Sequence, residues 1–124
     1  MSKVIYRVLI VEDDESIRAV IRLFLSRGSF KVFEARTGLE GIGLAKSMIP
    51  DIIITDLMMP GMSGVDLIKE LKMLEKTKSI PIIAMTGGDY ALQQKAQEVG
   101  ATAVVQKPLH RTDLVELITS VLEK

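Results

Sequence analysis

The chain predicts an α/β domain in which five strands, each followed by a helix, form one doubly wound parallel sheet, (βα)5. Two observations carry that expectation. The runs Val8 to Val11, Ile52 to Thr55 and Pro81 to Met85 are apolar or β-branched with little polar alternation, as strands buried on both faces of a parallel sheet require. Between them, apolar residues recur at spacings of three and four, the stripe of a helix with one buried side. Strands alternating with helices in this way imply right-handed crossovers that cover the sheet on both faces. With 124 residues, the chain reads as a single domain, 1–124, able to bury about two-thirds of its unfolded surface.

Each element has its own signal. After the first strand comes the acidic cluster Glu12, Asp13, Asp14, Glu15. A helix follows with Ile17, Val20, Ile21 and Phe24 inward and Arg18 and Arg22 on the wet side, stopped at Gly28. Phe30 to Ala35 is the second strand. Thr37 caps a shorter helix that turns Leu39, Ile42 and Ala45 inward before Pro50, weakened by Gly41 and Gly43 at roughly 1 kcal/mol each. The third strand ends on Asp56. Ser63 then precedes a helix with Leu67, Leu71 and Leu74 on one face and Lys69, Glu70 and Lys72 turned out. The fourth strand ends at Thr86, Asp89 caps a helix carrying Leu92, Ala96 and Val99, and Gly100 ends it. Ala101 to Val105 is the last strand, and Leu114, Leu117, Ile118 and Val121 mark the last helix.

Composition excludes several classes. There is no cysteine, hence no disulfide and no thiolate zinc site. The formal charge is zero and dispersed, which leaves no basic footprint for nucleic acid. No run of 18 apolar residues and no leader pattern occurs, so the expectation is a cytoplasmic protein that does not enter a membrane.

In a parallel sheet all strand C-termini share one edge, where open α/β sheets place their ligands. Asp13 and Asp14, Asp56, Thr86 and Lys107 all fall there. Taken singly, either aspartate reads as a helix cap, Thr86 as a turn residue and Lys107 as a solvated lysine; together they make a site. Three carboxylates in one crevice repel by roughly 4 kcal/mol per pair at 4 Å and an effective dielectric near 20. Either one is protonated or a hard divalent cation sits among them, and an all-oxygen set points to Mg²⁺. Asp56 is then placed to act as a carboxylate nucleophile toward a phosphoryl group. The metal, the Lys107 ammonium and the Thr86 hydroxyl would each meet one of its oxygens.

Four stretches carry a resemblance that covers the chain nearly end to end. VLIVEDD holds paired acids, ITDLMMPGMSG the acceptor loop, IIAMTGGD a switch hydroxyl and VVQKPL a lysine followed by proline. In these the chain resembles the receiver domain of two-component response regulators, in a stand-alone, chemotaxis-regulator-like form with no output domain. The resemblance implies a flavodoxin-like sheet of order 2-1-3-4-5 and a cis Lys107–Pro108 peptide. It implies that Asp13, Asp14, Asp56 and the Met58 carbonyl hold Mg²⁺, and that Asp56 takes phosphate from a sensor histidine kinase or histidine phosphotransfer protein. It further implies a switch rather than an enzyme, acting on a downstream effector, as a monomer or weak dimer. The kinase would dock near Ser16, Ile17, Arg18 and the loop after Lys107.

Some positions depart from the family pattern. Val104 stands where many receivers carry an aromatic, so the expected transmission runs through Thr86 and a shift of the fourth helix around Tyr90. Met58 and Gly88 occupy positions that tune acyl phosphate hydrolysis, and neither offers a group to orient water. His110 reads as an exposed residue at the start of the last helix, and Met58, Met59 and Met62 as loop packing. Two other classes compete with the switch. An aspartyl-nucleophile Mg²⁺ phosphohydrolase commonly carries a second acid two residues on, where this chain has Met58. A flavin- or nucleotide-binding module of similar topology would want a phosphate cradle where this chain has the acidic turn EDDES, and a receiver-like module that is not phosphorylated would signal by binding alone.

Overall fold

The computed structural model describes residues 4–123. Five strands and five helices alternate: β1 (Tyr6–Val11), α1 (Glu15–Leu25), β2 (Phe30–Ala35), α2 (Gly38–Met48), β3 (Ile52–Asp56), α3 (Gly64–Met73), β4 (Ile82–Thr86), α4 (Tyr90–Val99), β5 (Ala103–Gln106) and α5 (Arg111–Leu122). All pairings are parallel, and the order is β2-β1-β3-β4-β5, as expected.

Successive strand side chains point to opposite faces, which divides the core in two. Val8, Ile10, Ile52, Ile54, Ile83 and Met85 pack under α1 and α5, meeting Ile21, Leu25, Leu114 and Ile118. Leu9, Val11, Ile53, Ile82 and Ala84 face α2, α3 and α4, meeting Ala45, Leu67, Ile68, Leu71 and Ala96. Every residue of β3 and β4 is buried. The middle of the sheet therefore lacks the polar alternation of a half-exposed strand.

Several caps form where the residues predict them, whereas α1 ends at Leu25 with Ser26 as its C-cap, short of the expected stop at Gly28. Thr37, Ser63 and Asp89 each accept a hydrogen bond from the main-chain N–H three residues on. Gly100 ends α4 at φ 120°, a conformation that favours glycine. The last strand starts two residues later than its apolar run suggests.

Three helix faces differ from expectation. On α1 the buried positions are Arg18, Ile21 and Leu25, while Val20 is exposed. Arg18 is not on the wet side, because its guanidinium finds three acceptors within the fold: the Glu12 carbonyl and the carboxylates of Glu15 and Glu34. On α2, Leu39 is 72 % exposed, and the inner face is Gly38, Gly41 and Ala45. The helix lies so close to the sheet that a Cβ on Gly41 would stand 2.9 Å from Val11 Cγ2. Only small residues fit there. On α3, Ile68 joins Leu67 and Leu71 in the core, and Leu74 is the half-buried cap. Lys72 folds back to donate to the carbonyls of Lys78 and Ile80, and its burial lowers its pKa.

Candidate functional site

The site lies at the carboxyl ends of β1, β3, β4 and β5. Val11 of β1 is level with Thr55 of β3, so Glu12 and Asp56 leave two adjacent strands at the same height. Asp56 is 6 % exposed and Glu12 only 1 %. One carboxylate oxygen from each of Glu12, Asp13 and Asp56 lies within 4.8 Å of the others. Glu12 is thus a member of the acid group that the sequence reading passed over. Its signal was its place directly after the apolar run, matching the place of Asp56 after its own.

Asp14 has a different position from the one expected. Its carboxylate turns back along α1 as the N-cap, accepting from Ser16 N at 2.8 Å and Ser16 Oγ at 2.6 Å. Those two bonds, the hydroxyl's first, hold its pKa below the ordinary carboxylate value. The Asp14 carboxylate is taken up by the cap of α1, and the acids whose oxygens come together are Glu12, Asp13 and Asp56.

Lys107 enters from the end of β5. Its Nζ stands 3.0 Å from Asp56 Oδ1 and 3.3 Å from Glu12 Oε1. Burial works to lower its pKa, but the hydrogen bond and charge of Asp56, followed by those of Glu12, outweigh it and leave the ammonium above its ordinary value. The backbone places it too: Lys107 N donates to the Thr86 carbonyl at 2.8 Å, and the following Lys107–Pro108 peptide is cis. Glu12 responds in the opposite sense. Its burial, against the lowering effect of a hydrogen bond from Asp14 N, together with the nearby Asp56 charge, raises its pKa from 4.5 to about 7.

Thr86 closes β4, is 2 % exposed, and its Oγ1 accepts from Gly88 N at 3.3 Å. Met58 lies on the rim with its side chain 70 % exposed. Gly64 is a position where packing beside Asp56 requires glycine, and the sequence patterns left it unassigned. A Cβ there would lie 2.1 Å from the Asp56 carbonyl oxygen and 2.6 Å from Leu57 Cα, and Gly64 N donates to the Leu57 carbonyl. The start of α3 therefore rests directly on the backbone at the end of β3, which no larger residue permits.

Beside Lys107, a groove of about 540 Å³ is lined by Ser16, Ile17, Val20, Gly87, Lys107, Pro108 and Leu109. Ser16 and Ile17 thus share an open surface with the loop after Lys107. Arg18 points elsewhere. His110 is exposed at the N-cap position of α5 and makes no side-chain cap bond.

The fold and this crevice define a parallel α/β domain with an acidic, lysine-paired cleft at the sheet's carboxyl edge. A family model for the response regulator receiver domain matches residues 8–119, and the chain belongs to that family. It is 33% identical over 119 residues to the polar-differentiation response regulator DivK of Brucella ovis, covering 93% of this chain and 94% of that protein. The solved structure of the chemotaxis response regulator CheY4 of Vibrio cholerae is 31% identical with a TM-score of 0.89, over 96% of this chain and 100% of that one. The receiver domain of the sensor histidine kinase PA1611 of Pseudomonas aeruginosa shares the fold at 22% identity and a TM-score of 0.91, over 98% of this chain and 100% of that one. That structure holds a magnesium ion in its active-site cleft. The chain is a phosphoryl-accepting response regulator receiver. Among the described residues no helix is long and apolar enough to cross a membrane.

Proposed function

We propose that Asp56 is the phosphoacceptor of a single receiver domain, charged by a sensor histidine kinase or histidine phosphotransfer protein. The observation that carries this is the contact of Lys107 Nζ with Asp56 Oδ1 at 3.0 Å inside a group of converging carboxylates. A buried nucleophilic carboxylate beside a fixed ammonium suits attack on a group whose oxygens gain negative charge. An Asp56 oxygen forms the new bond to phosphorus as the bond from phosphorus to the donor imidazole nitrogen breaks, and that nitrogen keeps the electron pair. Lys107 then compensates one phosphoryl oxygen, and the Thr86 hydroxyl donates to another.

The donor set fits a hard divalent cation. Glu12, Asp13 and Asp56 offer only oxygens, with neither histidine nor cysteine among them, as Mg²⁺ prefers. These three carboxylates and the Met58 main-chain carbonyl would hold it, Glu12 taking the role that the motif reading gave to Asp14. When bound, Mg²⁺ supplies positive charge to the phosphoryl oxygens and relieves the repulsion among the acids. The groove beside Ser16, Ile17 and Leu109 is where the phosphodonor protein would seat, and a downstream effector would read the switched form.

The test is intact mass after incubation with acetyl phosphate and Mg²⁺, on the wild type and on Asp56→Asn, with and without chelator. A metal-dependent gain of one phosphoryl, absent from the variant, is the expected result. A folded wild type that gains nothing from acetyl phosphate or from a phosphorylated histidine donor would overturn the reading.

A further inference from the structure

We infer that Arg18 is a positioning residue for the acid group, an inference that rests on the reading of Glu12, Asp13 and Asp56 as the cation site. Arg18 is 5 % exposed, an unusual state for an arginine on a surface helix. Its Nη1 donates to the Glu12 main-chain carbonyl at 2.6 Å, a buried bond across the β1–α1 turn. Nε reaches Glu34 Oε1 of β2 at 3.1 Å, and Nη2 pairs with the Glu15 carboxylate. The fork is therefore anchored on α1 and the edge strand β2, and its third contact lands on the peptide that joins Glu12 to Asp13.

That peptide carries two of the three acids. The peptides on either side of it are tied as well: Glu12 N donates to the Ala35 carbonyl, and Asp14 N donates to Oε2 of the Glu12 side chain. With the carbonyl also held, the peptide plane cannot rotate, and the directions of Glu12 and Asp13 are set before any cation arrives. A planar guanidinium makes three such bonds at fixed angles, whereas a lysine ammonium cannot span these separated acceptors. Arg22 separates this role from a purely electrostatic one. It shares Glu34 and Glu15 with Arg18, at 2.7 Å and 3.5 Å, but has no bond to Glu12.

The experiment measures Mg²⁺ binding by calorimetry on unphosphorylated wild type, Arg18→Lys, Arg18→Ala and Arg22→Ala, with folding of each checked by circular dichroism. Groups that orient ligands typically matter by about 10- to 100-fold in metal affinity. Arg18→Lys is expected to raise the Mg²⁺ dissociation constant by roughly tenfold or more, and Arg22→Ala to leave it unchanged. The Mg²⁺ concentration that half-saturates phosphorylation by acetyl phosphate should rise in parallel, with the extent recovered at saturating Mg²⁺. A folded Arg18→Lys with wild-type Mg²⁺ affinity would overturn the inference, and so would equal weakening by Arg22→Ala. A wild type that binds no Mg²⁺ would instead overturn the reading of the acid group itself.

Discussion

Glu12 sets the strongest pH dependence at the scale of single residues. Its pKa in the fold is raised from 4.5 to about 7, so the folded state holds a proton that the unfolded chain releases earlier. The stabilising contribution is complete below about 4.5 and is lost as pH rises through about 7. A shift of this size corresponds to at most about 3 kcal/mol. Metal-free protein is expected to lose stability between about pH 5 and 8 in chemical denaturation, and Glu12→Gln to flatten that slope. Matching slopes for the variant and wild type would contradict it. A cation in the crevice takes the ionised form, so added Mg²⁺ should stabilise more at the upper end of that window.

The helices carry consequences of their own at the scale of elements. The two glycines of α2 look equivalent by propensity, but their surroundings oppose each other. A Cβ on Gly43 meets nothing within 4 Å, whereas one on Gly41 meets Val11. Gly43→Ala should raise stability by about 1 kcal/mol. Gly41→Ala should lower it by about 1–3 kcal/mol, because the helix must lift off the sheet. Denaturant midpoints of the two variants, measured side by side, decide this; a shift in the same direction for both would contradict it. The same packing logic explains why Leu39 is left outside. With glycine and alanine against the sheet, the helix sits too near for a leucine, and periodicity alone does not reveal that distance.

At the scale of the whole molecule the question is how the acceptor reaches the surface that a partner reads. Val104 is half-buried in the layer under α2, α3 and α4, and it has no ring to swing. The route left is the loop after β4, where Thr86 Oγ1 accepts from Gly88 N, with Gly88 at φ 109°. A Thr86 hydroxyl drawn toward a phosphoryl group would release that N–H at the mouth of α4, next to Asp89 and the exposed Tyr90. Amide shifts recorded with and without a phosphoryl mimic such as beryllofluoride are expected to change from Thr86 into α4 as far as Leu92. Changes confined to the Asp56 loop would rule this route out. A groove of about 470 Å³ between that loop and α4, lined by Met58, Met59, Pro60 and Leu92 among others, puts the two segments side by side.

How much of this was legible in the chain depends on the range of the interaction. The alternation of buried strands and helices, the caps at Thr37, Ser63 and Asp89, and the strand-end positions of Asp56, Thr86 and Lys107 follow from local patterns of two, three and four residues, and they hold in the structure. The resemblance supplied the strand order. Two effects of different range decided which of four consecutive acids face the crevice: local N-cap bonds to Ser16 claim Asp14, while the register of β1 with β3 brings Glu12 level with Asp56. Arg18 reads as a wet-side arginine until Glu34, sixteen residues away on β2, folds beside it. Gly64 carries no local signal, and its need for glycine appears only when α3 comes to rest on the Asp56 carbonyl. Local runs and spacings by themselves determined where the buried strands and the helices fall; distances between elements, which no local pattern contains, determined which polar groups meet.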